Sequence, residues 1–189
     1  MGHHSGSARE RIIDAAERVV IEFGAGHLTF DAVALKAGLS RGGLLYHFPD
    51  KEALLKAMLD RLMERMKMRR AKKRAELAEG TEREIVAHVL SSLEKPEEVD
   101  KAARARTAAI LASGAHDPGL LAPAKEEYRK LMDELTENGL RFERAAVIAI
   151  ATDGLRLLEL LSVSPFDKDE RRRIVGELIS LAKEEKKAP

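Results

Sequence analysis

The sequence predicts an all-α protein: an N-terminal three-helix helix-turn-helix domain followed by a larger helical domain. Three observations carry this expectation. Aromatic residues make up only 4% of the 189-residue chain, and strong helix formers such as alanine, leucine, lysine, arginine and glutamate dominate. Apolar residues recur at intervals of three and four along most of the chain. Each periodic segment is bounded by glycine, proline or a side chain suited to capping a helix.

Residues 1–7, "MGHHSGS", lack the apolar core of a signal peptide and read as an expression-tag remnant, so His3 and His4 are set aside. The domain expected over residues 8–52 begins with a helix from Ala8 to Phe23, where Ile12, Ala16, Val19 and Phe23 share one face. Gly24 and Gly26 end it. Thr29 is the N-cap of a second helix, Asp31 complements its positive end, and Leu28 with Val33 can form a hydrophobic staple. Gly38 closes that helix, and the same pattern repeats at once. Ser40 caps a third helix, Leu39 with Leu44 is a second staple, Pro49 stops the helix near Phe48, and Asp50 caps a fourth from Lys51. Two short helices joined by a glycine turn and resting on a longer one form a helix-turn-helix signature.

The remaining residues, 53–189, are also read as helical. The fourth helix is expected to reach about Glu79, with Gly80-Thr81 as the break and the next cap. Further helices are expected over Glu82–Leu93, Glu97–Ser113, Pro118–Glu137, Arg141–Ser162 and Lys168–Lys186. The basic run "RMKMRRAKKR", Arg65 to Arg74, lies on the fourth helix and reads as a solvated face. Near the end of the chain, "RAAVIAIATDGLRLLELL" is apolar around most of its circumference. The last helix carries Ile174, Leu178 and Leu181 at helical spacing. Two such helices either fill a core within the chain or pair with a second copy as a four-helix bundle.

Composition excludes several classes. Without cysteine there is neither a disulfide nor a thiolate metal site, which suits a reducing cytoplasm. The longest apolar run, Ala145 to Ala151, is seven residues, far below the ~20 needed to cross a bilayer. No membrane partner is expected. Nothing assembles a nucleophile, a base and oxyanion donors, so the chain is not expected to be an enzyme and no cofactor is implied. Glu84 and His88 share a helix face, but two ligands without a third do not make a metal site. Net charge is only +1, so a nucleic-acid partner must be argued from local arrangement.

That arrangement lies in residues 38–51, "GLSRGGLLYHFPDK". Gly42 and Gly43 fall in the first turn of the third helix, although a glycine inside a helix costs about 1 kcal/mol relative to alanine. In a helix-turn-helix that turn enters the DNA major groove, where glycine allows close approach and exposes amide N–H groups to phosphate. Packing between the second and third helices is the other explanation. Around the glycines, Arg41 can reach guanine as a bidentate donor, and Tyr46, His47 and Lys51 can donate to phosphate oxygens. The hydroxyls of Thr29 and Ser40 sit at helix starts close to where a DNA backbone would pass.

"TFDAVALKAGLSRGGLLYHFPDKEALL" resembles the DNA-binding domain of the TetR/AcrR family of bacterial transcriptional regulators, over roughly Ala8 to Leu59. The resemblance implies a homodimer, paired through the last two helices, on a palindromic double-stranded DNA operator. It also implies repression relieved by a small-molecule effector held in the larger domain. By motif, Arg41 and Gly42 match positions that face bases, and Thr29, Ser40, Tyr46, His47 and Lys51 match positions that hold phosphates. Leu45 departs from the pattern, since many members have tyrosine there. For the effector, polar residues within apolar helical stretches are the candidates: His88, Arg104, Thr107, His116, Tyr128 and Asp153. Each also reads as an ordinary structural residue.

Overall fold

The computed structural model describes residues 7–93, 104–109, 114, 118–137 and 139–183. His116, one of the effector candidates, lies outside them. The described residues are helical, with no strand among them. They divide into two compact units, one within 1–62 and 100–123 and the other within 63–99 and 124–189.

In the first unit, α1 (Ala8–Phe23) starts at Ser7, whose hydroxyl accepts the Glu10 amide, and ends at Gly24. A single 3-10 turn, Ala25–His27, leads to α2 (Phe30–Ala37). Thr29 caps α2 by accepting the Ala32 amide at 3.2 Å. At its other end Gly38 adopts the left-handed conformation, φ 67°, and the Gly38 and Leu39 amides turn back onto α2 carbonyls. This is a helix ending that a side chain at Gly38 would strain. Arg11 reaches across from α1 and donates to the freed Ala37 carbonyl at 3.1 Å. The third helix, α3 (Arg41–His47), starts at Ser40, which accepts the Gly43 amide at 3.1 Å. Asp50 then caps α4 (Lys51–Glu76) through the Ala53 amide at 2.7 Å.

Apolar residues of these helices meet in one core. Ile12, Ala16, Val19 and Val20 of α1 pack with Leu28, Val33, Leu44, Phe48 and Leu54, so the Leu28–Val33 pair is buried, while of the second pair Leu44 is buried and Leu39 packs half-buried against the core. Ala109, from the helical stretch α6 at 104–109, and Leu120 join the same core. Arg61 of α4 is clamped by Glu10, Asp14 and Glu17 of α1. Burial opposes its charge, but hydrogen bonds to Asp14 and Glu10 outweigh that cost and hold its pKa above the ordinary value.

Two junctions differ from expectation, one in each unit. Helix α4 ends at Glu76, and α5 (Arg83–Ser92) follows Glu82, with no side-chain cap. Gly80-Thr81 is the break, but Thr81 does not cap. Instead its hydroxyl donates to Glu82, and Arg83 Nε donates to the Arg74 carbonyl at 2.8 Å, tying the two helix ends together. A 3-10 turn, Pro118–Leu121, precedes α7 (Ala122–Glu137), because proline leaves the first amide position without a donor. The helix expected over 97–113 lies outside the described residues except for α6. The basic run on α4 is not simply solvated. Lys67 pairs with Glu127 of α7 at 2.7 Å, Arg70 with Glu134 at 3.0 Å, and Arg74 with Glu84 of α5 at 2.9 Å.

Helices α8 (Phe142–Leu160) and α9 (Lys168–Lys183) pack on α5 around Ile85, Val89, Ile148, Leu155 and Leu178, with Leu131 and Leu135 of α7 closing the core. Arg171 of α9 pairs with Glu159 of α8 and donates to the Leu93 carbonyl at 2.8 Å, pinning three segments together. Only one face of α8 is used in this way. Val147 and Ile150 are 59% and 71% exposed, and Leu157 and Leu161 continue the same stripe. Gly154 lies in that stripe, and a Cβ built on it meets nothing within 4 Å.

Candidate nucleic-acid interface and ligand cleft

The exposed side of α3 follows from its buried side. Leu44 and Phe48 point into the core, and Arg9 of α1 covers the Phe48 ring, its guanidinium carbon 5.1 Å from the centroid. With that stripe fixed inward, Arg41, Gly42, Leu45 and Tyr46 face outward. Tyr46 is 87% exposed and meets the half-buried His47 edge-on, with centroids 5.2 Å apart. Thr29, Ser40 and Lys51 are exposed too. Each capping hydroxyl spends a lone pair on an amide and keeps its own O–H free to donate outward.

The two glycines separate in role. A Cβ on Gly42 would come no nearer than 4.0 Å to any neighbouring side chain, so packing between α2 and α3 does not require glycine there. On Gly43 it would sit 3.3 Å from the Ser40 hydroxyl, the group that caps the helix through the Gly43 amide. Gly43 thus has an internal reason, and Gly42 has none within the chain.

Sequence reasoning missed the partner of Arg41. Its Nη1 meets both carboxylate oxygens of Asp31, at 3.1 and 3.2 Å, so α2 holds the guanidinium in place before any partner arrives. The residues are ten apart across a turn, and no periodicity announces the pair. Leu35 of α2, 84% exposed, is a second residue that no sequence signal singled out.

In the second unit, a cleft with a cavity volume of about 50 Å³ opens between α4, α5 and α7. Met63, Met66, Leu131 and Tyr128 form its apolar wall, and Lys67, Arg70, His88 and Glu127 its polar one. Two of the effector candidates, His88 and Tyr128, therefore line one site, and a third, Asp153 of α8, stands against His88. Arg104 and Thr107 belong to the first unit and do not line this cleft. His88 is 5% exposed. Its Nε2 lies 3.9 Å from Asp153 Oδ2, and both atoms are buried without a hydrogen-bond partner. Burial, reinforced by the positive charges of Arg70 and Arg156, lowers the His88 pKa to about 4. Burial raises that of Asp153 to about 6 against the pull of Arg156. Among the described residues no group of three or more His, Cys, Asp or Glu could hold a metal ion, and no helix is long and apolar enough to cross a membrane.

Comparison with known proteins bears on both sites. Residues 12–58 match the family described as "Bacterial regulatory proteins, tetR family", and residues 82–183 match "Tetracyclin repressor-like, C-terminal domain". A curated relative, the HTH-type transcriptional regulator BetI of Ectopseudomonas mendocina, is 27% identical over 92% of this chain and 92% of its own length. Among solved structures, a TetR-family member from Streptomyces coelicolor superposes with a TM-score of 0.72 at 24% identity, covering 92% of this chain and 98% of that one. A proposed transcriptional regulator from Saccharomonospora viridis, solved in complex with choline, gives 0.70 at 20% identity over 92% and 95%.

Two outcomes test these sites. Gly42→Ala fills open space in the free protein. Thermal or denaturant unfolding should show unchanged or greater stability, by up to about 1 kcal/mol, while DNA affinity falls at least tenfold. An alanine variant that binds DNA as well as the parent would remove close approach as the reason for the glycine. The second outcome concerns acid stability. As pH falls from 6.5 towards 4, the unfolded chain protonates its histidine while native His88 resists, so this group loses stability on acidification. Native Asp153 takes its proton earlier than the unfolded chain does, between about 6 and 3.8, so it gains stability over the same range. The two terms oppose. Asp153→Asn should expose the His88 term, an acid loss on the order of 3 kcal/mol, and His88→Gln should expose the opposite slope. Parallel unfolding curves for the parent and both variants at pH 4.5 and 7 would contradict it.

Proposed function

Because the chain belongs to the TetR family of bacterial regulatory proteins and is a DNA-binding transcriptional regulator, we propose that it acts as a cytoplasmic homodimeric repressor. It leaves a palindromic operator when a small molecule occupies the α4–α5–α7 cleft. The observation that carries the DNA half of this reading is the outward face of α3, where Gly42 leaves an opening that nothing in the chain fills. Arg41 reads base edges. Tyr46, His47, Lys51 and the hydroxyls of Thr29 and Ser40 hold phosphates on either side and set the register. The functional boundary lies near residue 52: residues 8–52 meet DNA, and residues 53–189 bind the effector and pair the subunits.

Pairing through α8 and α9 is supported by the apolar stripe of α8, which a single chain leaves in water. Gly154 within it, and Gly176 on α9, have open space where a side chain would stand. Small residues on such a stripe let a second helix cross closely. A two-fold dimer presents two copies of α3 to half-sites about 34–36 Å apart, one helical turn of DNA. The choline seen with the Saccharomonospora protein does not carry over to this chain, whose cleft has Tyr128 as its one aromatic wall.

Operator fragments recovered by genomic selection supply the substrate for the test. Arg41→Ala should relax base preference at one position of each half-site. Lys51→Ala should weaken all sequences alike and reduce the slope of log affinity against log salt by about 1. Identical base preference and salt slope in both variants would show that these contacts are misassigned. For the dimer, Ile150→Glu should yield monomers by sedimentation velocity and lower operator affinity by a hundredfold or so, since two linked half-sites become one. A variant that stays dimeric would put the interface elsewhere.

A further inference from the structure

The second unit holds two adjoining hollows. The cleft described above is mostly apolar. Next to it runs an open groove of about 310 Å³, and the two share Lys67, Arg70 and Glu127. The groove brings four cations, Lys67, Arg70, Arg74 and Lys130, against three carboxylates, Glu84, Glu127 and Glu134. We propose that an amphipathic organic anion binds across both hollows, its apolar body on Met63, Met66, Leu131 and Tyr128 and its carboxylate or phosphate head over Lys67 and Arg70 at the shared edge. The inference rests on the effector-responsive reading and names the class of effector.

Three observations favour an anion over a cation or a neutral ligand. The carboxylate in the cleft wall, Glu127, is already shared by two ammonium groups, Lys67 at 2.7 Å and Lys130 at 3.2 Å. A ligand cation would therefore have to displace one of them, and a single tyrosine cannot form the aromatic cage that binds quaternary ammonium. Arg70, which lines both hollows, also acts against a positive charge on His88, and the same field repels a ligand cation. Finally, Arg70 is already in an ion pair, with Glu134. An incoming carboxylate or phosphate exchanges one acceptor for another at little cost, an exchange that a neutral head cannot make. Asp153, the remaining acid beside His88, does not line either hollow, and Arg156 on its own helix offsets it.

The test holds the apolar body constant and varies the head. Octanoate, octyl phosphate, octanol and octyltrimethylammonium are titrated, below their micellar concentrations, into the full chain by calorimetry at physiological ionic strength. Release of labelled operator is followed in parallel. At least one anion should bind tenfold or more tightly than the ammonium and release operator, with octanol between them. The stronger of octanoate and octyl phosphate identifies the head. Arg70→Gln should weaken that anion about tenfold and leave octanol unchanged. Lys67→Gln serves the same purpose if circular dichroism shows the Arg70 variant unfolded. Ammonium binding as tight as anion binding overturns the charge assignment while leaving the effector reading intact. Anion affinity that survives both substitutions overturns the placement of the head. If none of the four binds at millimolar concentration, the cleft is not a ligand site, and the effector reading falls with the inference.

Discussion

The seven residues of α3 could not hold a helix in water by themselves. Nucleation is costly at any length, and this segment carries two glycines in its first turn. Its conformation is imposed from outside. Ser40 satisfies the Gly43 amide, the left-handed Gly38 delivers the chain at the right angle, and Leu44 with Phe48 anchors one side on α1. Burial of two large apolar side chains is worth roughly 3–6 kcal/mol, which exceeds the helix propensity that the glycines forfeit. The same anchoring that makes α3 possible determines which of its residues face outward. The fold of α3 and the face we propose for DNA recognition are therefore two consequences of one packing arrangement.

Glycines within the helices point to bodies that a single chain lacks. Gly42, Gly154 and Gly176 each carry a helix-propensity cost, and a Cβ on any of them would meet no close neighbour. Gly43 is different, since the Ser40 hydroxyl crowds the position its side chain would take. A cost with no compensation inside the molecule calls for compensation elsewhere. For Gly42 the second body we propose is DNA, to which the family binds. For Gly154, on the exposed apolar stripe of α8, it is the proposed partner helix.

The first unit was legible because its signals are local. Caps, staples and the αL glycine lie within a few residues of the helix ends they control, and Thr29, Gly38, Ser40 and Asp50 all act where the sequence placed them. What the sequence hid were contacts between segments far apart along the chain. Arg41 with Asp31, Arg61 with three acids of α1, and Arg171 with the Leu93 carbonyl follow from how helices meet. The cleft was half legible for the same reason. His88 and Tyr128 stood out as polar residues in apolar stretches, but Arg70 lies within a basic run whose charge points to a solvated face.

That basic run shows why net charge was a poor guide. Several cations of this chain are cancelled where they stand: Arg61 by α1, Lys67, Arg70 and Arg74 by acids of α5 and α7, Arg171 by Glu159. A partner senses what the pairing leaves over. On the α3 face, Lys51 forms no ion pair among the described residues, and Arg41 is held only by the exposed Asp31. An exposed pair is worth about 0–1 kcal/mol, so Arg41 can exchange Asp31 for a guanine edge or a phosphate at little cost, starting from a conformation already extended outward. A nearly neutral protein can thus present local positive charge, and in the proposed reading Arg41 and Lys51 on the α3 face supply it.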